Sequence, residues 1–303
     1  MLNIMGRRRL YYLISLILIV PGLISLLIPP GLRLGVDFTG GTLWEIQFER
    51  PPAPAEIKTF LAEHDHGDAI VQTSGEDAIL IRSKEVPSEQ KDSIAGPMRQ
   101  RFGNFTELRF ESVGPVLGQE IALRAVGAVG LVSLAILLYI AWAFRRVEHP
   151  VRYGVCAIVA LLHDALLVLG VFSILGKLFN VEVDSLFVTA LLTVIGFSVH
   201  DTIVVFDRIR ENMRRLHGQA FETVVNHSLA QTLGRSVITS LTVMFTLAAL
   251  VLFGGVTTRL FALTLLIGIT SGTYSSIFNA SALLVSWETG ELGRLFGRRP
   301  AAA

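Results

Sequence analysis

The chain has 303 residues, 51% of them hydrophobic and 17% charged, with a mean hydropathy of +0.57. That balance excludes an ordinary soluble enzyme and points to an integral membrane protein. The net charge of +1 conceals an asymmetry: residues 30–120 carry 9 Lys/Arg against 15 Asp/Glu, and the remainder carries 17 against 10, so an acidic insert interrupts a basic body.

Arg7, Arg8 and Arg9 precede a first apolar run, residues 10–27. It is long for a signal-peptide core and no small-residue cleavage site follows, so an uncleaved span is expected. Just after it comes Gly35-Val36-Asp37-Phe38-Thr39-Gly40-Gly41-Thr42. Gly35, Asp37, Gly40 and Gly41 are expected to form a turn at the membrane interface, where glycine permits tight or left-handed backbone. A phosphate loop does not fit, because no Lys-Ser/Thr follows and a strand comes next.

Within the insert, alternation predicts strands over 42–48, 69–73, 78–83 and 105–113, and helices over 54–64 and 87–102, the second bent near Gly96-Pro97. The strand pair is joined across Ser74-Gly75-Glu76-Asp77. The order β-α-β-β-α-β predicts a small ferredoxin-like domain.

Five more apolar runs follow, at 121–144, 151–175, 186–206, 237–253 and 260–287. Each is long enough, or nearly so, to cross about 30 Å of hydrocarbon. The expected fold is therefore an α-helical membrane protein of six spans with a small α+β domain after the first. The expected divisions are 1–9 (cytoplasmic), 10–29 (first span), 30–120 (extracytoplasmic domain), 121–287 (five-helix membrane domain with a cytoplasmic hairpin at 207–236) and 288–303 (cytoplasmic tail). With a cytoplasmic N-terminus, fourteen arginines fall inside, among them Arg145, Arg146, Arg294, Arg298 and Arg299, against only Lys177 and Arg259 in short outside loops.

Ionisable groups inside spans are expensive and mark function or pairing. His163 and Asp164 fall near the middle of the third span, and His200 and Asp201 toward the inner end of the fourth. Arg235, at the inner end of the fifth, lies at a depth similar to Asp201. The pair predicts ion or proton coupling: the aspartate changes charge, whereas arginine stays cationic. A static pair clasping two helices is the plain alternative. Asp164 is a secondary candidate, and for His163 and His200 a hydrogen-bonded structural role is expected. Adjacent residues on a helix point about 100° apart, so the two His-Asp dipeptides do not build a metal shell. Asp207, Arg208, Arg210 and Glu211 are expected as a solvated cluster at the membrane exit. Gly268 and Gly272, in a run with Ser271, Thr273, Tyr274, Ser275 and Ser276, have the spacing that lets helices approach closely. The lone cysteine, Cys156, implies no disulfide. No metal or nucleotide site is evident, so no cofactor is expected.

Several motifs together resemble one family. GVDFTGGT at 35–42, VGPVLGQE at 113–120, His163-Asp164, GFSVHDTIVVFDRIREN at 196–212, NHSLAQTLGRSVITS at 226–240 and GTYSSI at 272–277 resemble the SecF branch of the SecD/SecF family, within the RND superfamily. GFS stands where that family often has GYS. The resemblance implies an auxiliary subunit of bacterial protein export that uses the proton motive force to complete translocation across the inner membrane. It implies SecD, the SecYEG channel, SecA, YajC, membrane lipids and the translocating unfolded polypeptide as partners, and no nucleic acid. It also implies Asp201 as the proton-coupling acid and Arg235 as its basic partner, with Na⁺ in place of H⁺ left open. Rival expectations are an RND-type transporter for lipids or small molecules, an intramembrane aspartyl protease built on Asp164 and Asp201, and a passive scaffold.

Overall fold

The computed structural model describes residues 3–74, 77–145, 147 and 149–291. Gly75 and Glu76 of the expected strand connection, Arg146, and residues 292–303 of the expected tail, with Arg294, Arg298 and Arg299, lie outside the described residues. Two compact units emerge: one of Met1–Arg33, Ala128–Val181 and Leu186–Ala303, the other of Leu34–Gly127 with Glu182–Ser185.

The second unit holds α2 (Val36–Thr39), β1 (Gly41–Phe48), α3 (Pro54–Glu63), β2 (Ile70–Ser74), β3 (Ala78–Ser83), α4 (Lys91–Phe102) and β4 (Phe105–Val113). The strands form one antiparallel sheet in the order β2-β3-β1-β4, the split β-α-β arrangement that the element order predicts. Trp44, Ile46 and Phe48 alternate onto one face of β1 and pack with Ile79, Ile81 and Phe105 against Ile57, Phe60, Ile94 and Met98 of the two helices. Two expectations shift. α4 starts at Lys91 rather than Pro87, because Pro87–Gln90 is taken up in a turn closed by the Gln90 amide on the Pro87 carbonyl at 2.9 Å. The glycine-rich run is a short helix, α2, and only then a turn: Gly40 (φ 73°) and Gly41 (φ 113°) are left-handed, and a Cβ on Gly40 would lie 2.6 Å from the Pro115 Cα.

Six helices are long and apolar enough to cross a membrane among the described residues, as the sequence predicts, and the chain is a multi-pass membrane protein. They are α1 (Arg8–Leu27), α5 (Pro115–Ala143), α6 (Pro150–Phe179), α7 (Ser185–Arg215), α8 (Phe221–Phe253) and a last span formed by α9 (Val256–Tyr274), a π-helical stretch Ser275–Ala280 and α10 (Ser281–Glu288). Pro21 sits inside α1. α7 and α8 run past their apolar runs, so the predicted hairpin is two helix extensions joined over 216–220. Asn212 of α7 donates to Ser228 and Gln231 of α8, both at 2.9 Å, and holds that junction. The charges at the α7 end form on-helix pairs, Arg208 with Glu211 at 2.5 Å and Arg210 with Asp207.

Small residues set the helix contacts, as expected where lipid removes the hydrophobic drive between helices. α1 and α6 meet at Gly22 and Gly170: a Cβ on Gly22 would lie 2.7 Å from the Gly170 Cα. Beside that crossing the Ser25 and Ser173 hydroxyls bond at 2.7 Å, and Ser173 reaches the Gly31 carbonyl at 2.8 Å. Gly268 and Gly272 do the same for α9 on α7, where a Cβ would strike the side chains of Val194 and Ser198.

Gly22→Val should destabilise the α1–α6 contact by about 1–3 kcal/mol, the cost of overpacking against backbone that cannot yield. A drop in thermal unfolding temperature in detergent, compared with a valine placed at lipid-facing Leu16, checks it.

Candidate functional site

Asp164 of α6 has no exposed surface. Both of its oxygens are claimed. Oδ1 accepts from the Ser271 hydroxyl of α9 at 2.7 Å and faces His163 Nδ1 at 3.0 Å. Oδ2 accepts from Ser198 of α7 at 2.5 Å and from Ser275 at 2.6 Å. A carboxylate offers about four lone-pair sites, and here all four are met. The hydroxyl donors come from two other spans, and Ser275 opens the π-helical stretch. Widened turns of this kind recur at functional sites because they re-aim side chains.

Asp201 is held differently. It is 5% exposed on the buried face of α7, beside Thr202 and one turn beyond Ser198. Its Oδ2 is buried with no hydrogen-bond partner. Arg235 does not supply one: its side chain is exposed on α8, and no ion pair joins the two residues. The expected pair is therefore open in this structure. The reason lies in the face of α8 that packs inward, where Ser228, Thr232, Ser236 and Ser240 recur every four residues; Arg235 falls just off that stripe.

The structure separates the two histidines as well. His163 is buried with its Nδ1 on Asp164 and its Nε2 unpartnered, whereas His200 is exposed. Asp164 and Asp201 share no hydrogen bond: every hydrogen-bond partner of Asp164 is a serine or His163. No group of three or more metal-type side chains gathers among the described residues.

The glycine-rich run builds a second polar site, inside the second unit. The Asp37 carboxylate accepts from the Ser185 amide at 2.8 Å and from its hydroxyl at 2.5 Å. The Gly35 amide donates to the Val183 carbonyl at 2.8 Å. On the sheet face opposite the helices, Arg109 pairs with Asp184 at 3.3 Å and with Glu111 at 2.7 Å, and Arg82 pairs with Glu182. These arginines flank Leu43 and Glu45 of β1 on the neighbouring strands. Four consecutive residues, Glu182–Ser185, thus strap the α6–α7 connection onto the second unit, and α7, the helix of Asp201, begins at the strap's last residue. Sequence reasoning did not find the strap. Nor did it assign Ser198, Ser271 and Ser275 to Asp164, although the four-residue spacing of Ser271 and Ser275 marks one helix face.

Two family models match this chain: "Protein export membrane protein SecD/SecF, C-terminal" over residues 95–290 and "SecD/SecF GG Motif" over residues 25–52. The chain belongs to the SecD/SecF family. Relatives named protein translocase subunit SecF include one from Thermobaculum terrenum, 55% identical over all of this chain and 99% of the relative, and one from Anaerolinea thermophila, 50% identical over all of both. The crystal structure of SecDF, a translocon-associated membrane protein from Thermus thermophilus, superposes with a TM-score of 0.81 at 35% identity over 95% of this chain. A SecDF structure in a super-membrane-facing form gives 0.67 at 32% identity over 98% of this chain. The chain spans 39% and 40% of those two longer proteins. The GG-motif match falls on the residues that build α2, the double-glycine turn and Asp37.

Asp37→Ala should loosen the strap by about 1 kcal/mol, the net worth of the hydrogen bonds it removes from Ser185. Hydrogen exchange of the 183–185 amides checks this: they should exchange faster, while the β1–β3 ladder keeps its protection.

Proposed function

We propose that this chain is a proton-coupled subunit of protein export. Paired with a SecD-type partner, it draws on the proton motive force to complete movement of polypeptide through a SecYEG-type channel. In this reading SecA drives the earlier ATP-dependent phase, YajC associates at the periphery, and the chain itself carries no hydrolytic site. It lies in the bacterial cytoplasmic membrane with both termini inside, on the strength of its fourteen-to-two bias of basic residues. The second unit then faces outward.

The observation that carries the reading is the buried, unpartnered oxygen of Asp201 on a membrane-spanning helix of a SecD/SecF-family chain. A carboxylate in that place is cheap when protonated and costly when ionised without a partner. The open arrangement suits the protonated acid. On losing the proton inward, the carboxylate draws Arg235 toward it, and α7 and α8 shift against each other. Because α7 starts at Ser185, its displacement passes to the strap and so to the external domain, which hinders back-sliding of the emerging polypeptide. A SecD-type partner is supported by α5, whose most apolar stretch has no buried residue, and by the larger SecDF chains of which this one matches only part.

Asp201→Asn should cut proton-driven export in inverted membrane vesicles by about a hundredfold, the scale of losing a proton-transfer group, while leaving the ATP-driven phase intact. Wild-type flux through a well-inserted Asp201→Asn chain would overturn the assignment, and flux that follows Na⁺ instead of pH would replace the ion.

A further inference from the structure

Asp201 leaves unused the most elaborately held ionisable group in the membrane unit. Asp164 is wholly buried and saturated by three serine hydroxyls and His163. Around it the facing groups are neutral hydroxyls from α7 and α9, and the one ionisable neighbour bonded to it is His163 on its own helix. A static helix clasp does not need an imidazole whose outer nitrogen is buried without a partner. That outer nitrogen belongs to a residue lining a cavity of about 250 Å³ between α1 and α6, bounded also by Ser15, Ile19, Leu23, Val159 and Asn279. A cavity needs roughly 10–15 Å³ of such volume to hold one water, so size does not bar water here, although so apolar a space does not retain it. Its walls are almost entirely apolar, with Ser15 and Asn279 bonded to each other at 2.7 Å. Walls of this kind hold water weakly and gate by dewetting.

We propose that His163 and Asp164 form a second proton-binding site, loaded from the α1–α6 cavity, whose protonation loosens α6 from α7 and α9. The step balances as follows. A hydronium ion entering from the proton gradient gives up one O–H bond and leaves as water, and its proton forms an N–H bond at His163 Nε2; the Nδ1–H bond breaks, and that proton forms an O–H bond at Asp164 Oδ1. His163 remains neutral as the other tautomer, and Asp164 becomes a neutral acid. The His163 bond then runs the other way, from Oδ1–H to the bare Nδ1, and the three serine hydroxyls meet a neutral acid, to which hydrogen bonds are roughly half as strong as to a carboxylate. Those bonds come from Ser198 of α7 and from Ser271 and Ser275, the last in the π-helical stretch. Protonation at one atom is thereby converted into a change in packing among three spans. Ser198 lies one turn from Asp201 on the same buried face of α7, which connects this site to the Asp201 site. The proposal rests on the reading of the chain as proton-coupled.

The test uses the full chain with its SecD-type partner in proteoliposomes, with a pH-sensitive dye reporting proton flux under an imposed gradient. Asp164→Asn and His163→Gln each keep hydrogen-bonding capacity at nearly the original volume, and each should lower flux by about tenfold or more, the scale of a lost acid–base group. Infrared difference spectra on acidification should show a carboxylic-acid carbonyl band that vanishes in Asp164→Asn and persists in Asp201→Asn. In a Cys156→Ser background, Ser15→Cys should react with a small water-soluble thiol reagent. Undiminished flux in both His163→Gln and Asp164→Asn, or no band assignable to Asp164, would overturn the site; an unreactive Ser15→Cys would overturn the route through the cavity. If Asp201→Asn keeps its flux while the His163 and Asp164 variants lose theirs, the Asp201 reading fails and this one stands; the reverse pattern does the opposite.

Discussion

A carboxylate cannot sit bare in hydrocarbon, and the membrane unit of this protein is arranged around that constraint. Asp164 meets it by drawing hydroxyl donors from two other spans at once: Ser198 from α7, and Ser271 and Ser275 from the last span. Those bonds need short side chains and close backbones, which explains why glycines stand beside them. Gly272 lets α9 approach α7 at Ser198, and Gly268 does so one turn earlier at Val194. The π-helical stretch that begins at Ser275 fits the same demand, since an added residue in the turn re-aims a hydroxyl without moving the whole helix.

Asp201 meets the constraint only in part. Its free oxygen and the exposed Arg235 leave charge and counter-charge apart, and that is the difference between the two acids of this bundle. One is saturated in the arrangement seen; the other is complete only after a proton or a partner arrives. Both acids meet α7 within one turn: Ser198 bonds the first, and Asp201 is the second.

Much of this was written in the sequence, and the parts that were not share a cause. The six spans follow from apolar length, and the β4 limits of 105–113 follow from alternation, both local signals. α4 was predicted to start too early because Pro87 marks the start of a turn as readily as that of a helix. Asp201 and Arg235 stood out because charge in an apolar run is conspicuous; that they lie apart depends on how α8 is rotated, which sequence periodicity sets only to within a residue or so. The serines around Asp164 were visible as a small-residue run, but serine in a membrane helix commonly bonds its own backbone, as Ser228 does with Val224 at 2.8 Å, so composition alone does not pick the cage. The strap escaped notice for another reason. Glu182, Asp184 and Ser185 are three ordinary polar residues in a short loop, and their partners lie some 75 to 150 positions earlier in the chain, a pairing that no periodicity encodes.

The strap also bears on how the molecule comes to be. The second unit is discontinuous: Leu34–Gly127 is made first, and Glu182–Ser185 is added only after the whole of α6 has been synthesised. Until then Arg82, Arg109 and Asp37 lack their acidic or amide partners from the loop. Final closure of the second unit therefore waits for the third span to be complete and the fourth begun. A chain mis-threaded at α6 would leave Arg82 without Glu182 and Arg109 with Glu111 alone.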